Sequence, residues 1–301
     1  MGRLNRFQIL ARKSKHIKES FKELGKRTFS IPELKKIYKE QADSWGVPRK
    51  TKFEEFLKHL LETEVLKQIE IDLPRAEVLS KYIFGEPTLL EIANSIKSRS
   101  YLSHYTAMFF HGLTDNLPKT IYTNTELKMS KNFNSKELEQ SSIDRAFACN
   151  VRQSNQIARY EDVEIYLLNS KNVEHVGVKE FEFDGIKLRV TDIERTLIDI
   201  TVRPNYAGGV QEVLNAFAAA KDRVSFNRLI ATLKKLDYTY PYHQAIGFYM
   251  EKSGYSESAL NMLEKLGIKY NFYLTYKMPL KEFSERWKLY YPRYFDLIDQ
   301  T

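Results

Sequence analysis

SIPELKKIYKEQADSWGVPRKTKFEEFLKHLLETEVLKQIEIDLPRAEVLSKYIF, residues 30–84, carries the pattern on which the reading of the fold turns. Ser30 and Glu33 have the Ser-x-x-Glu spacing in which each side chain satisfies the other residue's free amide, and Pro32 sits in the first turn, where no amide donor is needed, so a helix opens here. Leu34, Ile37, Tyr38 and Trp45 supply its buried stripe. After the loop GVPRK, Phe53, Phe56, Leu57 and Leu60 recur at the i, i+3, i+4, i+7 spacing and predict a helix over residues 50–62. VLKQIEI (65–71) and EVLSKYIF (77–84) are rich in branched and aromatic residues and are joined through LPRA, as in two paired strands. Upstream, Leu10, Ile17, Phe21 and Leu24 share one face of a basic helix over residues 4–24, which Gly25 stops. Helix, helix, helix, hairpin is the order of a winged helix-turn-helix, whose third helix enters the major groove of DNA.

Charge agrees with that order. Residues 1–60 hold 16 Lys or Arg against 7 Asp or Glu, whereas the remainder of the chain is near neutral. A localised excess of this kind suits a polyanionic partner, because cations that neutralise phosphates release counterions. Arg49, Lys50, Thr51, Lys52 and Lys58 are the DNA-facing candidates on or beside the third helix, with Lys67 and Arg75 of the hairpin placed to touch backbone. Glu54 and Glu55 on the same helix either accept from cytosine amino groups or simply solubilise it.

The expected fold class is therefore α+β: a winged helix-turn-helix over residues 1–84, a boundary at Gly85, Glu86 and Pro87, and a larger mixed α/β domain over residues 85–301. In the second part PTLLEIANSIKSRSYLSHYTAMFFHGL (87–113) reads as two helices broken near Ser100, the second capped by Ser103. Short strands are expected over 120–122, 146–151, 163–168, 178–183 and 186–190, the last two joined by an Asp184-Gly185 hairpin turn. Thr191 and Glu194 have capping-box spacing at the start of a helix, Gly208-Gly209 breaks the helical run, and Ser225 and Ser256 open two more helices. IKYNFYLTY (268–276) alternates as a strand does, with WKLYY (287–291) its neighbour.

Several classes of function are disfavoured. No run of about 18 apolar residues predicts a membrane span, and the first 20 residues lack the apolar core of a signal peptide, so a cytoplasmic protein without a membrane partner is expected. Cys149 stands alone and, within AFACNV, reads as a small buried hydrophobe. The six histidines are scattered, with His104 and His111 too far apart for one zinc site. The capping reading of Glu194 and the helix-start position of Asp192 account for the carboxylates near Asp199 without a metal. No phosphate-binding glycine loop, dinucleotide fingerprint or nucleophile motif is present. Neither a cofactor nor an enzymatic role is expected.

Three stretches carry a family resemblance: YLSHYTAMFFHGLTDNLPKTIYTNTE (101–126), VTDIERTLIDITVRPNYAGGVQEVLNAF (190–217), and YPYHQAIGFYMEKSGY (240–255) with the later FYLTY and WKLYYP. They resemble the AbiEi family of antitoxins and transcriptional regulators of bacterial phage-defence and toxin-antitoxin operons. The resemblance covers most of residues 85–301 and implies a winged helix joined to an antitoxin domain. It further implies an autorepressor that binds double-stranded DNA upstream of its own operon and counteracts a companion nucleotidyltransferase-like toxin. Family members can use a basic C-terminal surface. Here that part is near neutral, and Arg195, Arg203, Lys221, Arg223, Arg228, Lys234 and Lys235 are the residues left to form a local patch, unless they are a solvated face. Arg195 has an alternative role, bracing the domain through Asp199. A second reading of the whole chain is a protein-binding module that sequesters a toxin directly, without sequence-specific DNA binding.

Overall fold

The structure, a computed structural model, describes residues 5–127, 137–171 and 173–297. Its elements run α1 (Arg6–Glu23), β1 (Thr28–Phe29), α2 (Ile31–Gln41), α3 (Phe53–Glu62), β2 (Lys67–Leu73), β3 (Glu77–Ile83) and α4 (Leu89–Ser95). They continue through β4 (Tyr101–Leu102), α5 (His104–Phe110), β5 (Thr120–Leu127), α6 (Gln140–Ala148), β6 (Ile157–Tyr160), β7 (Val163–Lys171), β8 (Val178–Phe183) and β9 (Ile186–Thr191). The remainder is α7 (Ile193–Val202), α8 (Val210–Ala220), α9 (Phe226–Leu236), α10 (Tyr242–Lys252), α11 (Glu257–Glu264), β10 (Phe272–Tyr273), β11 (Lys281–Ser284) and β12 (Leu289–Pro292). The fold is mixed α+β, and none of the described helices is long and apolar enough to cross a membrane.

Two compact units are formed. The first comprises the residues up to Ser100 together with Gln156–Ile165 and Glu180–Arg189; the second comprises Tyr101–Asn155, Tyr166–Lys179 and the chain from Val190 onward. In the first unit, the Ser30 amide and hydroxyl both donate to the Glu33 carboxylate, at 2.8 and 2.6 Å, and this fixes where α2 begins. The apolar stripes of α1, α2 and α3 then meet. Trp45 is stacked between Phe21 and Phe56, with ring centroids 5.8 and 5.6 Å away, and Leu10, Ile17, Leu34 and Leu60 close the core around them. Each such fully buried side chain contributes about 1.5–3 kcal/mol. β2 and β3 are antiparallel from Lys67↔Ile83 to Leu73↔Glu77, β1 pairs with β3 through Phe29↔Tyr82, and β6 pairs with β2 at Asp72↔Arg159.

In the second unit β4 is antiparallel to β5 and parallel to β9, so the sheet there is mixed. β8 and β9, whose turn at Asp184 and Gly185 falls in the first unit, form the expected hairpin and return the chain to the second unit at Val190. Asp184 and Gly185 both take positive φ, 51° and 71°, which matches the right-handed twist of the strands they join. The core of this unit is built on α7, α8 and α10. α10 is buried from Gln244 to Met250 on every side, and the parallel pair β10 and β12, with β11 antiparallel to β12, covers part of it. Gln244 Nε2 donates to the carbonyls of Tyr270 and Trp287, at 2.8 and 2.6 Å, and ties helix to sheet.

Four local expectations are corrected. Residues 146–151 do not form a strand: Ile143 and Phe147, four apart, point into the core and make residues 146–148 the end of α6, and 149–151 follow it without regular structure. Cys149 lies just beyond that helix and is exposed rather than buried. At the start of α7 the cap is Asp192, whose side chain accepts from the Arg195 amide at 3.0 Å; Glu194 instead accepts from the Ser225 amide at 2.8 Å and so braces α9. Of residues 268–276 only Phe272 and Tyr273 are strand, although WKLYY supplies the neighbour, β12, as read from the sequence.

Candidate functional site

The segment 48–52 approaches α3 in a conformation held from two sides. Tyr38 Oη donates to the Thr51 carbonyl at 2.7 Å, and Arg6 donates to the Lys50 carbonyl at 3.4 Å while pairing with Glu55 at 2.6 Å. Glu55 also accepts from the Lys52 amide at 3.0 Å, the N-terminal cap of α3. Glu55 is thereby committed to structure, which the sequence reading left open. Glu54 is exposed, 3.9 Å from Lys35.

Arg49, Lys50 and Lys52 are exposed and make no ion pair among the described residues. Thr51 between them is buried, at 6% exposure, so its side chain does not belong to the exposed basic run. Lys58 lies further along α3 and pairs with Glu62 at 3.6 Å. Lys67 and Arg75 do not share a place. Lys67 begins β2 and pairs with Glu86 at 3.1 Å, whereas Arg75 is in the turn between β2 and β3, about 20 Å of strand away. Arg75 and Ala76 both take positive φ, 70° and 58°.

The C-terminal candidates separate into different settings. Arg195 is not on the surface: its side chain is 2% exposed and is clamped by Asp199 at 2.8 Å and the Val176 carbonyl at 2.7 Å. Burial disfavours its charge, but the Asp199 carboxylate outweighs this and leaves its pKa raised. Arg203 is exposed at the end of α7. Lys221 and Arg223 stand in the α8–α9 turn, where Arg223 donates to the His111 carbonyl at 2.8 Å. Arg228 on α9 reaches to 3.7 Å from Glu194, and Lys234 and Lys235 are exposed in the last turn of that helix, where positive charge suits the helix dipole.

His104 is a functional-site feature that sequence reasoning treated as scattered. It opens α5 with a positive φ of 52°, Nδ1 lies 2.9 Å from Ser103 Oγ, and its ring meets Tyr206 edge-on at 5.6 Å. Burial, opposed by Asp199 and aided by Arg203 and Arg195, pushes its pKa down to about 4. The unfolded chain takes up this proton near pH 6.5 and the folded chain resists it until about pH 4. Neutral His104 thus contributes about 3 kcal/mol that is present above pH 6.5 and lost progressively as pH falls through this window. Denaturant unfolding at stepped pH is expected to show this fall, and His104→Asn, which tolerates the left-handed backbone but does not titrate, is expected to flatten it. An unchanged slope in the variant would assign the acid sensitivity to carboxylates instead.

Among the described residues no group of three or more His, Cys, Asp or Glu is placed to hold a metal ion. No protein-family model matches the chain, and no curated protein matches its sequence. The fold is similar to the crystal structure of the RV2827C protein from Mycobacterium tuberculosis, at a TM-score of 0.56 and 11% sequence identity over 96% of this chain and 94% of that one.

Proposed function

We propose that residues 1–84 act as a winged helix-turn-helix that binds double-stranded DNA, and that the chain is a transcriptional autorepressor with antitoxin activity against a nucleotidyltransferase-like toxin, as the AbiEi resemblance implies. The observation that carries the DNA reading is the exposed, ion-pair-free run Arg49, Lys50 and Lys52 at the start of α3, on a loop that Tyr38 and Arg6 hold in place. A preformed basic segment loses little conformational freedom on meeting phosphate, and the α3 N-terminus adds its dipole. The order α1, β1, α2, α3, β2, β3, with β1 closing on β3, supports the same reading. Arg75 at the turn between β2 and β3 is then the wing's backbone contact, and Lys67, at the far end of β2 and paired with Glu86, contributes less.

The test is equilibrium binding of the full chain to DNA from upstream of its own operon and to a scrambled duplex, across a salt series. Preferential binding to the upstream DNA is expected, with Lys52→Ala weakening both complexes and lowering the salt slope by about 1. Arg49→Ala is expected to weaken the specific complex by about 5- to 150-fold if it reaches a base. Equal or absent binding to the two duplexes would sink the autorepressor reading. Stable co-purification of the chain with the toxin, with DNA binding absent, would replace it with direct sequestration.

A further inference from the structure

The second unit contains a cavity of about 390 Å³ that the DNA-binding reading does not use. Two residues that line it, Asn124 and Asp199, each 4% exposed, carry a buried side-chain oxygen without a hydrogen-bond partner among the described residues, Asn124 Oδ1 and Asp199 Oδ2. A buried acceptor left unpaired is destabilising, so two at one cavity are a standing demand for N–H or O–H donors. Arg195 does not meet it: its Nε donates to Asp199 Oδ1 and its Nη1 to the Val176 carbonyl, and neither bond reaches the two unpaired oxygens. Arg152 and Arg203 stand on the exposed side of the same cavity, and neither forms an ion pair among the described residues; Lys171, nearby, is paired with Asp237 at 3.1 Å. His104, Tyr206 and Tyr238 add ring surface to the walls. The Tyr206 hydroxyl accepts from the Ser154 amide at 2.6 Å and so anchors the loop that carries Arg152. Arg152 and Arg203 also line an adjoining cavity of about 310 Å³, which leaves room beyond the first.

A ligand that answers all of these features is anionic at one end, carries hydrogen-bond donors at the other, and has a flat ring between or beside them. The cavity volume suits a small molecule rather than a polymer. We propose that this cavity binds one mononucleotide, its phosphate held by Arg152 and Arg203 and its base or sugar donors received by Asn124 and Asp199. Guanidinium groups match phosphate oxygens two at a time, which a lone lysine does not. This site is independent of the DNA-binding residues and is tested separately from them.

The experiment is calorimetric titration of the full chain, without DNA, with AMP, GMP, CMP and UMP, with the corresponding nucleosides, and with inorganic phosphate. At least one monophosphate is expected to bind at one site per chain, at least tenfold more tightly than both its nucleoside and phosphate. Arg203→Ala and Arg152→Ala, both exposed and so tolerated by the fold, are expected to weaken it tenfold or more, while Lys50→Ala and Lys221→Ala leave it unchanged. Absence of binding by all four nucleotides, equal affinity for nucleotide and phosphate, or loss of binding in Lys50→Ala but not in Arg203→Ala would each overturn the proposal. Retention of a native unfolding transition in the arginine variants separates loss of the ligand from loss of the fold.

Discussion

Gly247→Ala is expected to destabilise the second unit by about 3 kcal/mol, against the general rule that alanine improves a helix. Gly247 lies in the middle of α10, and a Cβ there would come within 2.2 to 2.5 Å of three ring carbons of Trp287. The indole cannot retreat. It is fully buried, its Nε1 donates to Glu251 at 2.9 Å, and its own backbone carbonyl is held by Gln244. The neighbouring Arg286 is fixed in turn by Glu251, Glu257 and Glu264, at 2.9, 2.8 and 2.6 Å. The roughly 1 kcal/mol that alanine gains over glycine in a helix is therefore outweighed by overpacking. Urea unfolding gives the magnitude. Trp287→Leu, costly alone, should remove most of the penalty of Gly247→Ala when the two are combined, because the clash then has no partner. Strict additivity of the two would show that the close approach is not what requires glycine.

Arg195→Met is expected to cost about 3–5 kcal/mol, since it leaves the Asp199 carboxylate buried and unpaired. The cost lies in what remains rather than in what is removed. For this reason the double variant Arg195→Met with Asp199→Leu should be less destabilised than the sum of the two single changes, and Arg195→Lys should rescue only in part, because lysine lacks the fork that reaches both Asp199 and the Val176 carbonyl. If the double variant shows the full sum, the pair is not coupled.

Features fixed by a few neighbouring residues were legible in the sequence. Ser30 with Glu33 sets the start of α2, Asp184 with Gly185 sets the hairpin, and the i, i+4 spacing of Arg195 and Asp199 yields the observed ion pair. Features decided by a distant competitor were not. Thr191 and Glu194 have capping-box spacing, yet Glu194 is drawn to the Ser225 amide 31 residues on, and Asp192 takes the cap. AFACNV reads as strand within its own six residues; it is the turn before it, with Ile143, that draws its first three residues into α6. The cavity was hidden, because Asn124, Arg152 and the two residues at the end of α7, Asp199 and Arg203, come from three separate segments and only the fold assembles them.

The first unit draws on Gln156–Ile165 and Glu180–Arg189 as well as on its leading hundred residues, and β2 has β6 along one side. During synthesis the three helices and the β2–β3 hairpin emerge long before the strand that flanks them. At about 5–20 residues per second, the 60 residues separating Ser100 from Tyr160, the end of β6, take about 3–12 seconds to translate. Throughout that interval the nascent chain displays the β6 side of β2 open, so a ribosome stalled there holds out for chaperone capture or mispairing a strand edge that the Asp72↔Arg159 pairing partly covers in the finished protein.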